Sequence, residues 1–355
     1  MRIALVSLEP WDDVWRRNQH ISSELVDQGV VDSLVFIEPP RLGRTLVQQP
    51  FSPKPGITVL APRLSMPKRV GGLRLLGVQL RRTWLRGLDL LWVNDPALGV
   101  QCQSSRQPAV YDVTDDWRDF DFPRRIRRRI ISAEDRLART ATTVVCSDVL
   151  RQRWLDRYGV EAHLVNNGVD TRRWRQATRR KYDGRGPHIG YVGTLHTERI
   201  DLDLIQSVAD MNDVGTFHLV GPDSLDADAR KRLHLHPKIE VHGPVPSADV
   251  AAWTKGFDVL VSPHRITPFT LSLDAIKSYE YAASGRPVVA TPTSGFQLLK
   301  KLDGITVVNS EGFAEAVRIA LQTTTTDRNL PAMDWSDRAR EFERVLKAAA
   351  AGDNR

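Results

Sequence analysis

Ser272-Leu273-Asp274-Ala275-Ile276-Lys277-Ser278-Tyr279-Glu280-Tyr281-Ala282-Ala283-Ser284-Gly285-Arg286-Pro287-Val288-Val289-Ala290-Thr291 contains, in one stretch, the alternation on which the whole chain is built. Its first part has helical spacing: Lys277 and Glu280 fall one turn apart, and Ile276, Tyr279 and Ala283 form the stripe expected to be buried. The β-branched run over 287–291 then reads as a strand. Short apolar runs alternate with amphipathic stretches in the same way along the rest of the chain, the pattern of parallel strands covered by helices. Strands are expected at 2–8, 33–37, 57–61, 88–93, 109–113 and 143–146, with helices at 18–28, 124–140 and 148–158. A polar, basic segment over 172–187 reads as a linker, after which strands are expected at 188–192, 216–220, 238–241, 258–262, 287–291 and 305–307. A closing helix over 335–351 places Trp335, Phe342, Val345 and Leu346 on one face.

The expected fold class is therefore α/β, with two Rossmann-like doubly wound domains. These are a first domain over 1–180, a second over 181–332, and a terminal helix within 333–355 packing back on the first. The chain's 355 residues suit two such domains, and 41% apolar with 26% charged residues suits a packed core rather than a disordered polymer. Two cysteines, Cys102 and Cys146, leave little scope for a disulfide framework or a cysteine-based zinc site. The net charge of +7 is uneven: residues 1–180 carry 30 basic against 20 acidic residues, and 181–355 carry 20 against 23. An anionic partner for the first half is one reading, and a general preference for arginine is the other. No apolar run reaches the roughly 18 to 20 residues that span a bilayer. The apolar stretch 3–8 runs into Glu9, Pro10 and Trp11 and is not expected to be a signal peptide, so the expected location is the cytoplasm.

Chemistry-bearing residues cluster in few places. A helix opening with Ser272 and Asp274 would present free amides and its positive dipole end to a phosphate. Lys277 can add a point charge, and Glu280 can accept two hydroxyl hydrogen bonds; the plain alternative is a surface ion pair. Asp112, Asp115 and Asp116 fall at the carboxyl end of a strand, where carboxylates bind a metal, act as acid or base, or cap the next loop. Arg16, Asn18 and His20 begin the first helix, on the loop side of a strand's carboxyl end, and are candidates for acceptor or phosphate contact. The segment 122–131, rich in arginine, suits either an anionic lipid surface or a solvated face beside Glu134 and Asp135. No aromatic-basic motif of the single-strand readers is present, so nucleic acid is not an expected partner.

The stretch with Glu280 ahead of Tyr-Ala-Ala-Ser-Gly-Arg-Pro-Val-Val-Ala resembles the donor-binding helix of GT-B glycosyltransferases in the large group similar to glycosyltransferase family 4. Gly190-Tyr191-Val192-Gly193-Thr194-Leu195 with Glu198-Arg199 is similar to the start of that group's donor domain. Phe217 to Pro222, Val241 to Pro246, Phe257 to Pro263, and Asn166-Asn167-Gly168-Val169-Asp170 resemble further pieces in order. The resemblance covers most of the chain and is specific over about residues 165–292.

It implies two domains facing across a cleft, the second binding a nucleotide diphosphate sugar and the first an acceptor. Glu280 would hold the ribose hydroxyls, and Arg199 and Lys277 would neutralise the leaving diphosphate. Amides around Gly193-Thr194 and Leu271-Ser272 would complete the phosphate cradle, and Pro263 to Arg265 would line the base through backbone. Asp115 or Asp116 would lie near the reacting centre, and Arg16, Asn18, His20 and Asp112 on the acceptor side. The group's pattern departs at two places: the first of its paired glutamates, eight positions before Glu280, is Ser272, and Thr194 stands where a basic residue is expected after Gly193.

The implied reaction is a retaining, metal-independent sugar transfer, UDP-sugar favoured over GDP-sugar, with no cofactor beyond the donor. Its acceptor would be a glycan or lipid-linked acceptor of the cell envelope, with peripheral contact to the cytoplasmic membrane face. Two rivals share the architecture, a nucleotide-sugar epimerase and a non-catalytic nucleotide-sugar or polymer binder.

Overall fold

The computed structural model describes residues 1–43, 49–104, 107–323, 328, 330 and 333–352, without the side chain of Arg69. The last three residues of the expected closing segment, and 331–332 at the expected end of the second domain, lie outside them. The chain divides into two compact units, Met1–Asn166 with Trp335–Arg355, and Asn167–Asp334.

In the first unit eight strands form one sheet: β1 (Arg2–Val6), β2 (Ser33–Ile37), β3 (Phe51–Lys54), β4 (Ile57–Leu60), β5 (Leu90–Val93), β6 (Ala109–Val113), β7 (Thr142–Val145) and β8 (His163–Leu164). Their order is β8-β7-β6-β5-β1-β2-β4-β3, parallel except for β3 against β4. The central strands β1, β2, β5 and β6 are apolar almost throughout because helices cover both faces and no side is left for water. On one face Leu76, Leu80, Leu98, Leu137, Leu150 and Trp154 form the core with Val93, Tyr111 and Val145. On the other, the closing helix Trp335–Ala351 buries Trp335, Phe342, Val345 and Leu346; Phe342 packs on Trp92 with ring centroids 4.6 Å apart.

The second unit continues with β9 (His188–Val192), β10 (Thr216–Val220), β11 (Ile239–Gly243), β12 (Val259–Ser262), β13 (Val288–Ala290) and β14 (Ile305–Val307). The order β11-β10-β9-β12-β13-β14 is parallel throughout, and counted within the unit it is the 3-2-1-4-5-6 order of a doubly wound sheet. The order reverses between β9 and β12, so a ligand crevice is expected beyond their carboxyl ends.

The expected linker over 172–187 differs from what is observed. Thr171–Gln176 is a helix capped by Asp170, its Trp174 is buried, and it packs against the helix Ile276–Ser284, so residues 167–180 belong to the second unit. The buried stripe of Ile276–Ser284 also differs: Ser278, Tyr279, Tyr281, Ala282 and Ser284 face inward, and Ile276 and Ala283 are only half-buried. Burial is wide here because the helix is covered on several sides, by helices Thr171–Gln176, Val250–Gly256 and Ser294–Leu299.

Candidate functional site

In the second unit the carboxyl end of β9 runs into Gly193, whose φ is +149° and whose N–H donates to the Val220 carbonyl at 2.8 Å. A side chain there would collide with Lys277 Nζ at 2.7 Å, so glycine is what lets that lysine lie across the turn. Lys277, in the first turn of Ile276–Ser284, donates to Tyr191 Oη at 2.6 Å and stands 4.1 Å from the centroid of its ring. Tyr191 Oη in turn donates to the Thr194 carbonyl at 3.0 Å. Burial, and after it the charge of Arg199, pushes the Lys277 ammonium down to about 7, against the pull of Glu280.

Arg199 lays its guanidinium over Phe269, 4.9 Å from the ring centroid, and its carbonyl accepts from Arg265 N at 2.9 Å. His264 is buried beside them, held by Ser262 Oγ at 3.0 Å and by its own N–H donating to Thr291 Oγ1 at 3.0 Å. Burial, then Lys277 and Arg199, keeps His264 neutral, and burial with Arg199 lowers His196 as well. Glu280 is pushed up to about 7 by burial, with Lys277 and Arg173 opposing. Four basic side chains thus converge where the strand order reverses, and the charges of Lys277 and Arg199 lower both imidazoles. Such an arrangement is suited to an anion.

Not every expected member keeps its assigned part. The helix begins at Ile276, after Ala275, with no side-chain cap; Ser272 instead closes the preceding short helix Pro268–Leu271 and buries its hydroxyl on the Phe269 carbonyl at 2.7 Å. The amides of Leu271 and Ser272 donate to Thr267 and Phe269 carbonyls, at 2.9 and 3.1 Å, and so are already used. The capping box of Thr267 and Thr270 forms a separate turn that consumes them. Asp274 is likewise inward: its Oδ2 accepts from Asn167 N at 2.6 Å and its Oδ1 from Tyr279 Oη at 2.8 Å. Pro263 is buried with its carbonyl accepting from Asp201 N at 2.8 Å, and Arg265 is exposed, donating to the Ile200 carbonyl at 3.1 Å. Tyr191, His196, His264, Phe269 and Arg173 were not singled out from sequence. Tyr191 lay inside a quoted motif and His264 inside the stretch 263–265, and the others carry no local signal.

The first unit sorts its expected residues more severely. Asp112 is fully buried and takes three hydrogen bonds from Arg17 at 3.0, 3.1 and 3.2 Å, so it is an interior ion pair and not an acceptor contact. Asn18 is buried too, donating to Ser7 Oγ at 2.9 Å and Asn94 Oδ1 at 2.8 Å. Asp116 receives Arg153 at 2.7 Å and Arg157 at 2.8 and 2.9 Å. Burial alone would raise its carboxyl, but these arginines hold it below the usual carboxylate range, as an ionised partner of both. His20 stacks on Trp335 with centroids 4.6 Å apart.

Toward the loops after β1 and β6 stand Glu9, Asp12, Arg16 and Asp115, the last accepting from Thr114 Oγ1 at 3.3 Å. Arg16 lies 3.0 Å from Asp12 and 3.6 Å from Glu9. Burial raises Glu9 to about 7, with Arg16 opposing and Asp115 and Asp12 adding to the rise. Glu9 carried no local sequence signal.

Residues 186–323 match the family described as Glycosyl transferases group 1. The putative teichuronic acid biosynthesis glycosyltransferase TuaH of Bacillus subtilis (strain 168) is 28% identical over 198 residues, covering 51% of this chain and 50% of that protein. The match thus spans half the length of that relative. Sucrose-phosphate synthase from Thermosynechococcus elongatus superposes with a TM-score of 0.71 at 16% identity, over 99% of this chain and 97% of its own. HepE of Anabaena, solved in complex with UDP-glucose, gives 0.66 at 16% identity over 99% of both chains. The fold is that of the GT-B glycosyltransferases.

Proposed function

We propose that this chain moves a sugar from a nucleotide diphosphate donor to a hydroxyl of a glycan or lipid-linked acceptor in cell-envelope polysaccharide synthesis. The observation that carries the reading is the convergence of Lys277 and Arg199 at the reversal of the second sheet, where burial and the charge of Arg199 depress the Lys277 ammonium and an arriving anion would favour its charged form. The family match over 186–323 and the likeness to TuaH support a transferase of envelope polymers. HepE, solved with UDP-glucose, favours a UDP-sugar over a GDP-sugar.

In the proposed retaining reaction the bond from the anomeric carbon to the diphosphate oxygen breaks and the acceptor oxygen bonds to the same face. The acceptor's proton passes to a phosphate oxygen. Lys277 and Arg199 stabilise the charge gathering on the leaving diphosphate, and two fixed cations suffice for this without a divalent ion. Glu280, as carboxylate, accepts both ribose hydroxyls, and the amides of Ile276 and Lys277 face the phosphates. Asp115 with Glu9 and Arg16 forms the acceptor side in the first unit. The exposed Arg124, Arg125, Arg127 and Arg128 around exposed Ile126 offer contact to an anionic membrane face. No helix among the described residues is long and apolar enough to cross a membrane.

Thermal melting with UDP, GDP, ADP and dTDP tests the donor reading, since the true product stabilises the fold by mass action. UDP should give the largest shift, and Lys277→Ala and Glu280→Ala should each diminish it. No shift with any of the four, or full shifts in both variants, would remove the proposed site.

A further inference from the structure

Three histidines lie on three consecutive strands of the second sheet: His188 opens β9, His218 is in the middle of β10 and His242 is near the carboxyl end of β11. His218 pairs with Glu240 across β10 and β11, and β11 is the edge of the sheet. His218 Nδ1 lies 2.9 Å from His242 Nε2 and 3.5 Å from Glu240 Oε2, and His242 Nε2 lies 3.6 Å from the same carboxylate oxygen. A point equidistant from atoms so spaced is about 2 Å from each, the bond length of Zn²⁺ to imidazole nitrogen or carboxylate oxygen.

We propose that His218, Glu240 and His242 bind one first-row divalent ion of the Zn²⁺ class, which fastens the edge strand β11 to β10. Two imidazoles and one carboxylate form a borderline donor set suited to such ions rather than to Mg²⁺ or Ca²⁺. The surroundings fix the ligands as metal sites require. His218 Nε2 is 3.0 Å from His188 Nδ1, so its other nitrogen is the one turned to the ion. Tyr182 stacks on the His218 ring at 4.8 Å and on Phe257 at 4.7 Å, and Trp253 stands edge-on to His242 at 4.9 Å.

Access comes from the outer side. The side chain of His218 is 1% exposed, that of His242 25% and that of Glu240 55%, so the remaining coordination position opens to water. Arg180 lies on Trp253 at 4.0 Å; its charge bears on both His218 and His242, and Glu240 opposes it at His242. Nothing in this site depends on the donor reading, so either can fail alone.

The test uses the untagged full chain, stripped with EDTA and titrated with Co²⁺ as a visible probe, then with Zn²⁺ in competition. One equivalent of Co²⁺ should give the intense ligand-field bands of a low-coordinate site, and Zn²⁺ should remove them and raise the melting temperature. Both Glu240→Gln and His242→Ala lie at the surface and should melt like the parent without metal, yet weaken binding by about tenfold or more. His188→Ala should weaken it less, through loss of orientation. The proposal is overturned if no stoichiometric binding occurs, or if the bands and the Zn²⁺ shift persist in both surface variants, which would put the metal on other histidines.

Discussion

Two crevices with the same origin have been filled in opposite ways. Each sheet reverses its strand order beside its first strand, between β1 and β5 in the first unit and between β9 and β12 in the second. In the first, Ser7, Asn18 and Asn94 close a buried amide and hydroxyl network, with the Arg17–Asp112 pair nearby. In the second, Lys277, Arg199, His196 and His264 stand together with Glu280 as the facing carboxylate. Topology therefore supplies a place and not a chemistry. Partners of matched charge make the first place a structural joint, whereas in the second burial and the charge of Arg199 depress Lys277, with Glu280 only partly opposing.

The largest test of this contrast is Asp112→Ala. It leaves Arg17 charged and buried, and should cost about 3 to 5 kcal/mol in denaturant unfolding of the first unit. A loss below about 1 kcal/mol would show that the first crevice is not a structural joint. Lys277→Met should act in the reverse sense. It should raise the melting temperature of the ligand-free protein, by roughly a few degrees, while sugar transfer falls by about a hundredfold or more. Because burial holds this lysine's pKa below its unfolded value, its cost to stability is full below pH 7 and fades toward 10.5. The gain from methionine should therefore be greatest at or below neutral pH, and a destabilised variant would contradict the strained-cation account.

The next effect is in pH. Nucleotide affinity should peak near 7, falling below it as Glu280 takes up a proton and above it as Lys277 loses one. Each limb should approach about tenfold per pH unit at most. Glu280→Gln should flatten the acid limb and Lys277→Met the alkaline one, measured by titration calorimetry with UDP. The smallest change in stability is expected from Asp115→Asn, within about 0.5 kcal/mol of the parent. Transfer should nevertheless fall in that variant while the UDP shift is kept, and an unchanged rate would remove Asp115 from the acceptor side.

Much of the fold was legible because strands covered on both faces must be apolar along their length. The strands read at 33–37, 109–113, 188–192, 216–220 and 305–307, and the helices read at 124–140, 148–158 and 335–351, agree with those observed. The roles of the polar residues were less legible. Ser272 and Asp274 have the local pattern of a helix start, but Thr267 caps an earlier turn and Asn167, 107 residues away, claims the Asp274 carboxylate. Asp112, Asp115 and Asp116 look alike in sequence. Arg17, Arg153 and Arg157 separate them, and they come from helices 95, 37 and 41 residues distant from the carboxylates they meet.

The sequence by itself determined the alternation of strands and helices, the uneven charge, and the helix that carries Lys277 and Glu280, because those follow from periodicity and residue type over short spans. Only the tertiary structure decided which charges are paired and which oppose one another, and that three histidines from separate strands meet at a sheet edge. Pairing energy depends on distance and burial, and both are set by the register of strands far apart in the chain.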